Sequence, residues 1–464
     1  MNSLDSANAR TQPIKLYCAR WVVPVAKPAF EDGAVAVAGT RIVGVGARAE
    51  LAAQYPAAAC EDFGAAAIIP GLVNCHTHLE LTAMRGFLED VEGDFFAWLR
   101  KLTIARMTRM TADDLRVSAT WGACEAARAG VTCVGDAASY GDASVAALGD
   151  TGLRGIVYQE AISPDARAAD ELLSKLRADV ARLRESENEL VRVGVSPHAP
   201  YTVSERLLAG VVDYARAEEL PLMIHAAESA DEDELLKHGR GAFAESLAAR
   251  GIEWPSPRMS PIQYLSTRGV LSARTLLAHC VRVDAADIET IREARASVAH
   301  CPKSNLKLGH GRAPFARMSK LKRGFGSDSV ASNNTCDLLE EARFATLLAR
   351  LRHPNESSDE LYTAEHALAD ATQGGALALG YEGRTGALTT GTEADLAVVR
   401  LDGAHQTPVH DPARALIFSS SARDVMLTMV AGREVYRDGR VTTVDEERLR
   451  ARMTEIREKV MGNR

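Results

Sequence analysis

His76 and His78 stand two residues apart in a run of apolar residues, LVNCHTH (72–78). On a β-strand alternate side chains share a face, so the two imidazoles point the same way and can share one ion. Alone, such a pair fits a polar strand end as well as a metal site. His225 and Asp328, at the ends of two other apolar runs, extend it to three imidazoles and a carboxylate. That set leaves an open position for water, as a hydrolytic metal centre requires. Glu228 follows His225 by three residues and is placed to move protons, although its surroundings, AESADEDEL, are rich enough in acids to suit a plain exposed carboxylate.

Positioning these groups needs strands that end on one side of the molecule. Eight apolar runs qualify: 72–78, 131–136, 154–160, 191–198, 221–228, 275–280, 297–301 and 324–328. Amphipathic stretches such as 112–130 and 168–187 separate most of them, an alternation that predicts an α/β fold with a (β/α)8 TIM barrel over residues 68–382. All strands of a parallel barrel end at one face. His76, His78, Asp136, His198, His225, His279, His300 and Asp328 therefore become neighbours there. Short β-like pieces at both ends, 1–67 and 383–445, predict a small β-sandwich module built jointly by the termini, with a hairpin turning at Ala431-Gly432. Helical spacing marks 446–464 as a C-terminal helix.

The chain has 464 residues, 46% hydrophobic and 25% charged, which is ordinary globular usage and excludes a disordered or fibrous protein. A net charge of −8 lacks the basic footprint of a nucleic-acid partner. The absence of a long apolar run and of an apolar signal core implies no membrane partner and a cytoplasmic location. The eight cysteines are scattered without a C-x-x-C pair and read as reduced, buried residues.

Six ordered segments resemble the amidohydrolase superfamily, in its branch of hydrolytic deaminases and chlorohydrolases of nitrogen heterocycles: PGLVNCHTHLELTAMRG (70–86), SPHAPYTVS (196–204), MIHAAES (223–229), LLAHCVRVD (276–284), AHCPKSNLKLG (299–309) and GSDSVASNN (326–334). The resemblance implies His76, His78, His225 and Asp328 as ligands of one divalent ion, Zn²⁺ first and Fe²⁺ or Mn²⁺ next. It also implies Glu228, His279 and Asp328 as catalytic groups. A single ion is favoured because SPHAP, at the end of the fourth strand, lacks the lysine that bridges binuclear relatives.

His198 matches a substrate-binding histidine of the branch. Trp98 either packs as core or gives the pocket an aromatic wall, and Glu80 is a candidate pocket acceptor; Arg85 is either a substrate contact or a salt-bridge partner. His300, Ser304 and Asn305 either enter the pocket or stabilise the loop after the seventh strand. His310 and the remaining histidines fall outside the motifs and read as solvated or packed.

The first motif, the stretch DFFAWLR and the long insert after strand five are similar to deaminases of adenosine moieties, aminodeoxyfutalosine deaminases above all. Two departures stand against a simple copy. Position 107 is methionine where methylthioadenosine and S-adenosylhomocysteine deaminases carry a glutamate for the ribose, and the last strand, KLKRGFGSD, is short and basic. The implied partner is a small-molecule substrate, with s-triazine hydrolysis or deamination of another heterocycle (guanine, cytosine or a pterin) as the alternative within the branch. A metal-free scaffold is the alternative of another class. A homo-oligomer is compatible with the branch.

Overall fold

A computed structural model describes residues 13–351 and 361–462. Eight strands lie parallel and in chain order: β1 (Leu72–Thr77), β2 (Val131–Ala138), β3 (Arg154–Ala161), β4 (Val191–Pro197), β5 (Leu222–Ala226), β6 (Thr275–His279), β7 (Ser297–His300) and β8 (Lys322–Phe325). They form the (β/α)8 barrel. The first seven coincide with apolar runs, because a strand covered on both faces is apolar along its length; β8 lies earlier than expected and shares only residues 324–325 with the run 324–328.

The barrel closes between β8 and β1 with little ladder. One parallel bridge joins Thr77 to Asp328, and the Asp328 N–H donates to the His76 carbonyl at 2.9 Å. Below it the Asn74 side chain stands in for backbone pairing, accepting from the Ser327 N–H at 2.9 Å and donating to Ser327 Oγ at 2.8 Å. Two glycines permit this approach: a Cβ on Gly324 would lie 2.6 Å from Cys75 Sγ, and one on Gly326 2.8 Å from His76 Cβ. The basic character of the last strand has a local answer. Arg323 turns outward to pair with Asp370 at 3.0 Å and lies over the Phe315 ring.

A second, nine-stranded sheet combines both chain ends. Strand Ala66–Pro70 pairs on one side with Ile14–Val22 and on the other with Leu396–Arg400, then runs directly into β1. Alternation along Ile14–Val22 sends Tyr17 and Ala19 to one apolar cluster and Leu16 and Cys18 to another. The hairpin between Val425–Val430 and Arg433–Arg437 turns at Ala431 (φ 46°) and Gly432 (φ 78°), the left-handed pair of a tight hairpin turn.

All eight cysteines are free, and seven are buried. Cys60 departs from the expectation, lying exposed with its sulfur 2.9 Å from that of Cys18. Among the described residues no helix is long and apolar enough to cross a membrane.

Two helices outside the barrel ring shape its mouth. Helix α1 (Phe95–Arg109) is capped by Asp94 and buries Phe95, Trp98 and Leu102. Helix α2 (Glu446–Met461) covers it, contributing Ile456 and Val460 to the same apolar cluster.

Candidate active site

The strand ends converge. His78 Nε2 lies 3.2 Å from His225 Nε2, and Asp328 Oδ1 lies 3.4 Å from His76 Nε2 and 3.6 Å from His78 Nε2. Hydrogen bonds on the far side of the rings determine what these atoms offer. His225 Nδ1 donates to the His198 carbonyl at 2.7 Å, which leaves its Nε2 with a lone pair. His76 Nδ1 faces Met223 Sδ at 3.2 Å, and its Nε2 is buried without a hydrogen bond. Acceptor atoms thus crowd together, an arrangement that costs free energy unless a proton or a metal cation lies between them.

Burial pushes His76 down to about 4 and His225 well below the usual histidine value, so both are neutral imidazoles. His78 is raised: burial lowers it, but Glu160, Asp328, Asp136 and Glu80 outweigh that. Asp328 is buried, which would raise its pKa, yet His76 and the neighbouring imidazoles hold it well below the carboxylate range. The donor set fits a divalent metal ion.

Neighbouring residues fix that carboxylate. Asp328 Oδ2 accepts from Ser304 Oγ at 2.6 Å and Ser332 Oγ at 3.0 Å, and Oδ1 from the Ser329 N–H at 2.7 Å. Asp136, at the end of β2, accepts from Thr77 Oγ1 at 2.7 Å and the Leu79 N–H at 2.8 Å, and so locks the backbone on both sides of His78. Ala227, His279, Cys280 and Asp328 all have left-handed φ, between 48° and 77°. Such strain in residues other than glycine gathers where geometry is held for function.

Glu228 projects over the same floor. Tyr201 Oη donates to its Oε2 at 3.0 Å, and its Oε1 lies 3.6 Å from His279 Nε2 and 3.5 Å from His310 Nε2. Burial raises its pKa, but His279 and His310 more than reverse this and bring it to about 2, so the resting group is a carboxylate. His279 donates from Nδ1 to Asn305 Oδ1 at 2.9 Å.

Above this floor opens a cavity of about 510 Å³, a size suited to a small-molecule ligand. His198, Trp98 and Glu80 line it, as do Tyr201, Glu160 and Met107. Four other candidates do not reach it. Arg85 points outward to Glu125 and to the Asn334 carbonyl at 3.0 Å. His300, the last residue of β7, is buried with its ring stacked on Phe315. Ser304 and Asn305 touch the site from beneath, through Asp328 and His279.

Glu80 lines the cavity with its acceptors engaged: Ser139 N–H and Arg106 bond Oε1, each at 3.2 Å, and Tyr140 N–H bonds Oε2 at 2.9 Å. Glu160 is the freer carboxylate. Ser139 Oγ donates to Oε2 at 2.5 Å, and Oε1 has no protein partner. Sequence reasoning missed Tyr201, Glu160 and His310. Tyr201 stands in the fourth-strand motif three residues after His198 and could have been drawn from it, whereas His310, in a Gly-His-Gly turn, carried no such signal.

The model of the amidohydrolase family matches residues 67–435, and that of an imidazolonepropionase-like composite domain of bacteria matches residues 33–58. The chain belongs to the amidohydrolase family. A family relative, the 5-methylthioadenosine/S-adenosylhomocysteine deaminase of Nitratidesulfovibrio vulgaris (strain Miyazaki F), is 34% identical over 93% of both chains. Among solved structures, a zinc-bound adenosine deaminase from Xanthomonas campestris superposes with a TM-score of 0.85 at 29% identity, covering 97% of this chain and 99% of the other. The zinc-complexed atrazine chlorohydrolase of Arthrobacter aurescens TC1 gives 0.82 at 26% identity, covering 95% and 99%.

Proposed function

We propose that this protein is a metal-dependent hydrolytic deaminase that replaces the exocyclic amino group of an adenine-moiety nucleoside with a carbonyl and releases ammonia. The observation that carries the reading is the convergence of His76, His78, His225 and Asp328 directly beneath Glu228 and His279. It is supported by the named activities of the relative and of the adenosine deaminase above. In this reading the four residues hold one divalent ion, zinc foremost because both structural neighbours contain it. Iron or manganese would suit the same donors.

A divalent ion held by these residues would supply Lewis-acid activation of water, whose pKa such an ion brings from 15.7 to about 7. The chain's own groups do the rest. Glu228, a carboxylate at rest, takes the first proton of the attacking water and delivers it to the ring nitrogen as the tetrahedral carbon forms. Asp328 Oδ1 takes the second proton as that oxygen becomes the carbonyl, and this proton passes to the departing amine, which leaves as ammonia. His279, fixed by Asn305, orients the attacking oxygen and stabilises the developing charge. Trp98 and Phe95 give the heterocycle an apolar wall, and Glu160 offers an acceptor for sugar hydroxyls in place of the engaged Glu80.

The deciding experiment is an ammonia-release screen over adenosine, methylthioadenosine, S-adenosylhomocysteine, aminodeoxyfutalosine, guanine, cytosine and amino-s-triazines, with chloride release followed for chloro-s-triazines. Turnover concentrated on adenine nucleosides is expected. Turnover confined to s-triazines would overturn the substrate class, and no turnover by metal-loaded protein on any of them would overturn the activity.

A further inference from the structure

His310 lies on the turn after the short helix Pro302–Lys307, between Gly309 (φ 72°) and Gly311 (φ 102°). These glycines let the chain reverse so that the ring turns back into the barrel mouth. The residue is only 7% exposed. Its ring stands edge-on to Phe95 of α1, with centroids 4.6 Å apart, and its backbone N–H donates to the Asn305 carbonyl at 2.8 Å. Its Nε2 is buried, makes no well-formed hydrogen bond, and faces Glu228 Oε1 at 3.5 Å. A polar atom left in this state is costly, and the nearby carboxylate is the group that can relieve it.

Asn305 thereby fixes both imidazoles that flank Glu228: His279 through its side-chain oxygen and His310 through its carbonyl. Tyr201 holds one oxygen of Glu228, and the two imidazoles face the other. We propose that His310 is a positioning residue for proton transfer. Its Nε2–H grips Glu228 Oε1 and keeps the carboxyl group aimed at the substrate's ring nitrogen and leaving amine. The contact tightens when a ligand closes against Phe95, since catalytic hydrogen bonds are often long before substrate binds. The inference rests on the reading of Glu228 as the proton carrier.

The test compares His310→Phe, which keeps a ring against Phe95 but has no donor, with His310→Gln, which restores an N–H near the position of Nε2. With the preferred adenine nucleoside, His310→Phe is expected to lose about 10- to 100-fold in kcat, the scale of a misplaced catalytic group. KM and metal content should stay near wild type, and His310→Gln should recover most of the loss. A 6-chloropurine nucleoside, whose leaving group departs without a proton, should lose less in His310→Phe than the amino substrate does. In a Glu228→Gln background, His310→Phe should add little, because the two residues act as one unit. Wild-type kcat in His310→Phe would overturn the proposal, as would a loss of equal size for both substrates that persists in the Glu228→Gln background. Full activity of Glu228→Gln alone would instead overturn the reading of Glu228 on which it rests.

Discussion

The barrel holds two buried ionic clusters at opposite ends, built on opposite principles. At its base Arg154, at the start of β3, is fully buried and meets Asp395 at 2.9 Å and 3.2 Å and also Glu393. Arg384 adds a bond to Glu393 at 2.7 Å, and the Ala431 N–H adds one to Asp395 at 2.7 Å. Donors meet acceptors throughout, and the cluster ties the barrel to the second sheet. At the mouth His76, His279 and His310 each leave Nε2 without a partner, and the Nε2 atoms of His78 and His225 confront each other. A chain that satisfies one buried cluster completely and leaves another open has spent stability at the second. An unpaired buried polar atom costs about 1–3 kcal/mol, so the open cluster is there for something the chain does not itself contain.

Substitutions can break this contrast. The largest effect is expected from Asp328→Ala, which should lose both bound metal and turnover, measured by elemental analysis and ammonia release. Near-normal rates would remove Asp328 from the site. Glu228→Gln should keep its metal and lose about 10²-fold or more in kcat, the usual contribution of a general acid–base group. Loss of metal instead would make Glu228 a ligand.

Arg154→Ala should act on stability alone, lowering it by about 3–5 kcal/mol because Asp395 is left buried without a cation, while Glu393 keeps only Arg384. Denaturant melts would show this, with kcat of the folded protein unchanged. If kcat collapsed while stability held, the two ends would not be independent. The smallest effect belongs to Arg85→Ala, whose exposed pairing with Glu125 predicts a change within about 0.5 kcal/mol and an unaltered kcat/KM. A tenfold fall in kcat/KM would return Arg85 to the substrate.

Much of the floor was legible in the sequence because strand ends are. Alternation places His76 and His78 on one face, and apolar runs bring His225, His279 and Asp328 to the same end, so their convergence follows from topology. Side chains on loops carry no such periodicity. Nothing in SNLKLGHG shows that the chain reverses to return His310 to Glu228, or that Ser304 and Asn305 approach from beneath rather than within the cavity. Arg85 follows a short helical turn, Leu79–Met84, whose exit direction is set by packing against the helix that carries Glu125. The last strand reads as a departure because it is basic, and the partner of its Arg323, Asp370, lies far along the chain.

The sparse closure of β8 onto β1 has a mechanical consequence. Asp328 contributes at once to the single bridge that shuts the cylinder and to the cluster of imidazoles. An ion held by His76, His78 and Asp328 would act as a clasp across a joint where the backbone supplies little. Loading the cofactor and shutting the cylinder would then be a single event, and starving the protein of metal would loosen its wall as well as stop its chemistry.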